Sequence, residues 1–370
     1  MRAVYGDFSV IPSCNRLPSS AGSFVCDSKN RQHGLARPLV LGWLLAGGLL
    51  AAVLLWALAA GQFPIAPGQL WQSLLARLQG AASPLSPAAE TVLWNIRLPR
   101  IAAGLAVGAT LAAAGAAYQG MFRNPLVSPD ILGVSSGAGL GAALAILLGW
   151  SMAAVQTLAF AGGLAAVAIV LSISAGVRRH DPVLVLVLAG IALGALLGAG
   201  IALIKTLADP NTQLPSITFW LMGGLNAVTG SELAATAPVM LAALLPLLAL
   251  RWRINLLGLP DEEALALGVP VARLRLVLVA CATLGTAAAV SLSGIIGWVG
   301  LVVPHVARLL VGPNLVRLLP ASALLGAGFV VAADTLARSV ARIELPLGIL
   351  TALVGAPFFL YLLSRTGRHE

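Results

Sequence analysis

The chain has 370 residues, of which 59% are hydrophobic and only 9% are charged. A soluble domain usually carries about 25% charged residues, so this sequence cannot cover a water-facing surface and lipid must be its solvent. The net charge of +9 does not indicate nucleic acid, because the basic residues fall between apolar runs, as in a membrane topology. We therefore predict an all-α membrane protein in contact with membrane lipid.

The first part of the chain, residues 1–36, is polar and differs in composition from everything that follows. It lacks the apolar core that a signal peptide needs. We predict a disordered cytoplasmic leader over 1–36 and a single transmembrane domain over 37–370.

Ten apolar runs follow, each near the roughly 20 residues that a helix needs to cross a bilayer. The weakest boundary is the Ser291–Gly294 break between the seventh and eighth runs. The predicted runs are about 38–60, 99–120, 130–150, 152–176, 183–204, 233–250, 274–292, 295–311, 319–337 and 345–364.

The basic residues indicate how these runs are oriented. With the N-terminus inside, 16 of the 22 basic residues lie on the inner side. Because inner loops carry an excess of Lys and Arg, ten spans with both termini in the cytoplasm are favoured.

The longest charged inner loop spans about 251–273 and contains a short helix that begins with three acids, Asp261, Glu262 and Glu263. Acids are favoured at a helix N-terminus, and Gly268 ends the helix. Two interpretations stay open: a docking surface for a partner, or a solvated connecting loop.

The inner turn that begins at Arg123-Asn124-Pro125 is rich in turn and cap residues, which is consistent with a purely structural turn or with a gate. On the outer side, Arg97, Arg100 and Arg338 lie where the positive-inside rule discourages them. They are candidates for ion pairs with an acidic protein or with nearby acids.

Asp334 is the one acid well inside an apolar run, which makes it a functional candidate. It lies four residues before Arg338, however, and that spacing favours a structural ion pair. Ser293 and His305 are disfavoured as a protease pair, because His305 is predicted a membrane depth away from Ser293.

Neither lysine follows glycine, so the Gly-Lys-Ser/Thr phosphate-binding motif is absent from the sequence. A chain with neither an ATPase motif nor a series of buried ionisable groups is predicted to take its energy from another subunit. The alternative is an ion-coupled secondary transporter of a small organic solute.

Several motifs in order resemble the FecCD-type permeases of bacterial ABC importers for ferric siderophores, haem and vitamin B12. The resemblance covers about 69–365 and rests on Arg97-Leu98-Pro99-Arg100, Arg123-Asn124-Pro125-Leu126, Leu132-Gly133-Val134-Ser135-Ser136-Gly137-Ala138, Trp220-Leu221-Met222-Gly223-Gly224, Asp261-Glu262-Glu263-Ala264, Gly300-Leu301-Val302-Val303-Pro304-His305 and Glu344-Leu345-Pro346-Leu347-Gly348.

This resemblance implies a type II ABC importer permease fold in the bacterial inner membrane. It implies a homodimer, two ABC ATPase subunits that hold ATP and Mg, and a periplasmic binding protein. The chain itself is expected to be no enzyme, with no catalytic residue and no bound metal or cofactor.

The resemblance also implies site residues. The expected sites are docking of the binding protein at Arg97, Arg100 and Arg338; a cytoplasmic gate at Asn124, Pro125 and Leu126; and ATPase coupling at Asp261, Glu262, Glu263, Ala264, Leu267 and Gly268. Position alone, and not the resemblance, suggests a pathway lined by Gln119, Trp220 and Met222. A second gate of the vitamin B12 permease uses small hydroxyl residues, whereas this chain has His180-Asp181-Pro182-Val183 there.

Substrate identity is left open by the sequence. Family frequency places ferric siderophore first, haem second and cobalamin third, moved from periplasm to cytoplasm by alternating access.

Overall fold

The structure is a computed structural model, which describes residues 29–61, 65–80, 85–177, 182–340 and 343–366. Within these ranges the regular structure is entirely helical. The α-helices are α1 (Lys29–Ala59), α2 (Pro67–Gln79), α3 (Pro87–Thr91), α4 (Leu98–Phe122), α5 (Val134–Leu147), α6 (Met152–Gly176), α7 (Pro182–Leu207), α8 (Gln213–Met222), α9 (Gly230–Ala249), α10 (Arg251–Leu256), α11 (Asp261–Ala266), α12 (Val271–Ser293), α13 (Val299–Val311), α14 (Leu315–Val340) and α15 (Leu347–Thr366).

The predicted ten-helix membrane fold is confirmed. Of the helices in the described part, seven are long and apolar enough to cross a membrane, and three shorter apolar helices, α5, α13 and α15, complete the set. Helix α1 begins at Lys29, inside the predicted leader, and residues 1–28 lie outside the described residues.

The predicted second run, about 99–120, matches α4, but helical structure extends further back than predicted, to Pro87. Between α3 and α4 the chain forms a π-helical segment, Val92–Arg97, in which the Leu98 N–H donates to the Leu93 carbonyl. A π turn often occurs as a single local insertion in an α-helix, and proline is tolerated in the first turn that follows. Residues 87–122 therefore form one continuous helical segment. It is one of the seven helices long enough to cross a membrane, and it contains the predicted second run.

The weak break before the eighth run is a real interruption. Helix α12 ends at Ser293, Gly294 has a φ of +66°, and α13 begins only at Val299 after Trp298 with a φ of +71°. Gly294 lies against the Trp220 carbonyl and Gly223, where a side chain would overlap the backbone. The close approach of these two segments explains why the helix stops here.

The core lies where α4, α12 and α14 meet. These helices are the most buried of the seven long spans, at 78%, 72% and 61%, whereas α7 is 6% buried. Small residues allow the close contact: Gly108 faces Gly326, and Gly137 faces Gly162. These glycines therefore pack against other helices of the same chain.

Two ends of the bundle carry the charged residues. We call the end with α10, α11 and the turn after α4 the Asp261 end. The opposite end, where α14 finishes and α4 begins, is the Asp334 end.

Candidate functional site

The turn after α4, at the Asp261 end, is held by a Schellman motif. The Asn124 N–H donates to the Gln119 carbonyl at 3.2 Å, and the Arg123 N–H donates to the Gly120 carbonyl at 3.4 Å. Arg123 occupies the left-handed position of this motif, with a φ of +51°. Glycine is the usual residue there because it has no β-carbon, so a side-chain function is indicated.

The predicted gate residues follow directly. The side-chain oxygen of Asn124 accepts a hydrogen bond from the Leu126 N–H at 2.9 Å, which closes an Asx turn. Asn124 and Leu126 are both exposed, and Leu126 is 46% exposed despite its apolar side chain. We call Asn124–Leu126 the gate turn. Its geometry is rigid, and it presents an apolar side chain outward.

Helix α11 divides the six predicted coupling residues between two faces. Ala264 is fully buried against the core. Glu262 and Glu263 are exposed, as are Leu267 at 62% and its neighbour Leu265 at 58%. The exposed side of α11 thus carries acids and leucines, while Ala264 on its other side is buried. Such an exposed apolar and charged surface has the form of a docking surface.

Gly268 ends α11 with a second Schellman motif. It has a φ of +78°, its N–H donates to the Leu265 carbonyl, and the Val269 N–H donates to the Ala264 carbonyl. This turn has the ordinary glycine at the position that Arg123 fills after α4.

Asp261, whose side chain is 46% exposed, joins α11 to the rest of the bundle through two arginines. Its carboxylate accepts hydrogen bonds from Arg123 at 2.7 Å and, from two nitrogens, Arg275 at 2.8 Å. Burial opposes ionisation of Asp261, but the guanidinium groups of Arg275 and Arg123 outweigh that effect and hold its pKa below the ordinary value. Asp261 is therefore an anchor for α11, distinct from the exposed Glu262 and Glu263.

Gln119 lies inside the bundle at 2% exposure. Its amide nitrogen donates to the carbonyls of Gly300 and Leu301, and its oxygen accepts from Arg308 at 3.1 Å. These contacts tie α4 to α13. The structure thus places Gln119 in a helix–helix contact, away from the two other predicted pathway residues.

Trp220 and Met222, at the end of α8, line two different cavities. Trp220 lines a cavity of about 310 Å³ that also contains Arg100 and Glu344. Met222 lines a second cavity of about 620 Å³ between α8, α15 and the segment that joins α12 to α13, with Trp298 and Leu353 among its mostly apolar walls.

Arg100 is the centre of the charged cluster at the Asp334 end. Its guanidinium forms a salt bridge with Asp334 at 2.9 Å and a second with Glu344 at 3.0 Å. The side chains of Arg100 and Asp334 are only 9% and 3% exposed, whereas that of Glu344 is 37% exposed. Arg100 thus already has two acidic partners within the chain.

The two other predicted docking arginines are also buried, at 4% for Arg97 and 8% for Arg338. Arg97 donates to the Leu58 carbonyl at 2.7 Å, and Arg338 donates to the Ala60 carbonyl at 2.7 Å. The ion pair predicted from the four-residue spacing of Asp334 and Arg338 is also present, with 3.8 Å between the Arg338 Nε and the Asp334 carboxylate. In this conformation all three arginines bind the end of α1 or internal acids.

Ser293 and His305 have separate partners. The Ser293 hydroxyl donates to the Ala289 carbonyl at 2.8 Å, and the His305 ring packs edge-on against Phe358. His180 and Asp181 of the second predicted gate lie outside the described residues. In the described ranges, no cluster of three or more His, Cys, Asp or Glu residues forms a metal site.

Sequence reasoning assigned no role to Arg123 and Arg275, and Glu344 appeared only within a family motif. The signal for Arg123 was available: a residue with a β-carbon directly before Asn-Pro, where the helix stops. Arg275 and Glu344 had no comparable local signal, because their partners are distant in sequence.

Across the described residues, ten apolar helices surround a small-residue core and a short acidic helix is braced at one end, which is the form of a polytopic membrane protein. The FecCD transport family model matches residues 49–365, and the chain belongs to this family of ABC transporter permeases.

Individual relatives agree with this membership. The chain is 40% identical to the molybdate import system permease protein MolB of Haemophilus influenzae, covering 87% of this chain and 96% of the relative. It is 47% identical to the cobalamin import system permease protein BtuC of Halobacterium salinarum, covering 74% of each. A solved structure described as an inward-facing metal-chelate type ABC transporter matches with a TM-score of 0.77 and 38% identity, over 86% of this chain and 97% of that one.

Proposed function

We propose that this chain is the membrane subunit of an ATP-driven importer that moves an iron chelate from the periplasm to the cytoplasm by alternating access. Family membership supports the importer class. The observation that carries the mechanism is α11, whose acids and leucines are exposed while Asp261 and Ala264 fix it to the bundle. Such a surface can receive movement from a partner ATPase and pass it to the helices behind it.

The proposed assembly contains two copies of the chain, two ATPase subunits and a periplasmic binding protein. ATP and Mg bind to the ATPase subunits. The low burial of α7 supports a second copy, because Leu188, Ile191 and Leu196 are each more than half exposed on it. Under this proposal the Asp261 end faces the cytoplasm and the Asp334 end faces the binding protein.

The proposed substrate is a metal chelate, with a ferric siderophore first, haem second and cobalamin third. The cavity beside Met222 supports a large and partly apolar cargo, because Leu353 and Trp298 contribute to its walls. The relative named for molybdate import adds a small oxyanion to the compounds that need testing.

Uptake into proteoliposomes tests the proposal. The chain is co-purified with its ATPase, the binding protein is added, and labelled ferric siderophore, haem, cobalamin and molybdate are offered with and without ATP. ATP-dependent accumulation of a chelate is the expected result. Accumulation of molybdate alone would show that the substrate is this oxyanion and not a metal chelate. Accumulation without the ATPase, driven by a proton gradient, would favour the ion-coupled transporter instead.

A further inference from the structure

Arg123 has a backbone conformation that its residue type disfavours. Its φ of +51° is in the left-handed region, and only Trp298 shares a positive φ among the described non-glycine residues. A residue with a β-carbon in this region carries a steric cost that glycine avoids. The same turn after α11 has Gly268, so the turn itself does not require an arginine.

The side chain of Arg123 accounts for its position. Its Nε donates to the Leu257 carbonyl at 2.9 Å, and its Nη2 donates to the Asp261 carboxylate at 2.7 Å. One guanidinium thus holds Leu257, the residue directly after α10, and Asp261, the first residue of α11. The planar arrangement of its donors allows both contacts at once.

On the other side of Asp261, Arg275 at the start of α12 makes two parallel hydrogen bonds to both carboxylate oxygens. Bidentate contacts of this kind fix orientation as well as distance. A shift of Asp261 would act on Arg123 through their ion pair, and Arg123 is covalently attached to the gate turn. The Schellman and Asx hydrogen bonds restrict the backbone conformation from Arg123 to Leu126.

We propose that Arg123 is a positioning residue that transmits movement of α11 to the gate turn through its ion pair with Asp261. This inference rests on the proposed importer function. In it, a displacement of α11 by the ATPase moves Asp261, and the guanidinium carries that movement directly into Asn124–Leu126. Movement through the length of α12 alone would bypass the gate turn.

The test compares ATP hydrolysis with uptake in the reconstituted full complex. Arg123→Gly suits the left-handed backbone, so it should assemble normally and hydrolyse ATP at the wild-type rate. Its uptake per ATP should fall about threefold, the effect expected for loss of a partly exposed ion pair. Arg123→Lys should restore part of this ratio, since it keeps the charge without the planar donors.

Two further variants complete the design. Asp261→Asn should lower uptake per ATP less in the Arg123→Gly background than in the wild-type background, because the Arg123 contact is already lost there and only the Arg275 contact remains to be weakened. Arg317→Gln removes an exposed arginine that has no ion pair among the described residues at the same end, and it should match the wild type.

The outcomes separate the two proposals. Wild-type uptake with an unchanged ratio in Arg123→Gly overturns the role of Arg123 and leaves the importer intact. Parallel loss of hydrolysis, uptake and assembly in Arg123→Gly shows a purely structural residue and also overturns the inference. A wild-type complex without ATP-dependent uptake refutes the proposed function, and the inference falls with it.

Discussion

Gly108 on α4 and Gly326 on α14 face each other so closely that a β-carbon on either would overlap the backbone carbonyl of the other. The contact lies between two of the most buried helices. Close packing of backbones replaces the hydrophobic effect as the force that joins helices in lipid. The α4–α14 contact is therefore expected to limit the stability of the whole bundle.

Gly108→Ala should lower the free energy of unfolding by about 1–3 kcal/mol, because the new methyl group forces the two backbones apart. Thermal unfolding in detergent measures the change. Gly47→Ala on α1 is the matched control, since a β-carbon there meets nothing within 4 Å. Equal unfolding temperatures for both variants would show that the contact is not limiting.

At the Asp334 end, Asp334→Ala should lower the free energy of unfolding more than Gly108→Ala does. It leaves Arg100 and Arg338 without their buried carboxylate, and loss of one partner of a buried pair costs about 3–5 kcal/mol. The double change Arg100→Met with Asp334→Leu should recover part of the loss, because it removes both charges. The unfolding temperature again reports the result, and a double variant worse than Asp334→Ala would contradict this explanation.

Glu344→Gln should strengthen docking if Arg100 binds the acidic partner as the sequence predicts. The change removes the partly exposed carboxylate that holds one nitrogen of Arg100. Affinity for the binding protein, measured by surface plasmon resonance, should rise about two- to fivefold and should fall with added salt. Unchanged affinity would argue that Arg100 serves the bundle alone.

Glu262→Lys with Glu263→Lys should uncouple hydrolysis from uptake by reversing the charge of the exposed face of α11. The helix itself should persist, because Asp261 and Ala264 remain in place. Glu262→Gln with Glu263→Gln is the control that removes charge without reversing it, and its effect should be smaller. Coupled uptake in the lysine variant would remove both acids from the coupling surface.

The lowered pKa of Asp261 predicts the pH dependence of its ion pairs. The carboxylate stabilises the folded state above its ordinary pKa of 3.8, and this contribution is lost as pH falls through the lower folded value. Unfolding followed from about pH 7 to about pH 3 should show a decline that is weaker in Asp261→Asn. Identical profiles for the two proteins would contradict the ion-pair assignment.

The helix count could be predicted from the sequence because each span needs a long apolar run, and α4 or α12 supplies one without reference to any partner. The helical segment 87–97 before α4 could not, since Pro99 resembles a helix start and nothing local marks the π turn before it. Contacts across the fold were also hidden. Asp334 and Arg338 share a helix and were predicted as a pair, whereas the shorter contact to Arg100 comes from another helix.

The site was predicted in the same uneven way. The motif order located the turn at Asn124 and the acids of α11, which are local features. Whether a side chain pairs within the bundle depends on tertiary packing, so Asp261 was grouped with Glu262 although only Asp261 is held by Arg123 and Arg275. Gln119 was likewise assigned to the pathway from position alone, and the structure shows it bound to α13.

The pairing of Arg100 with Asp334 has a consequence for how the chain is made. The two residues are 234 positions apart, and synthesis at about 5–20 residues per second separates their appearance by roughly ten to fifty seconds. During that interval α4 carries an arginine without its carboxylate, so its end should remain near the lipid headgroups, where the side chain reaches water. Arrival of α14 then allows α4 to settle, which makes closure of this ion pair a late step of biogenesis.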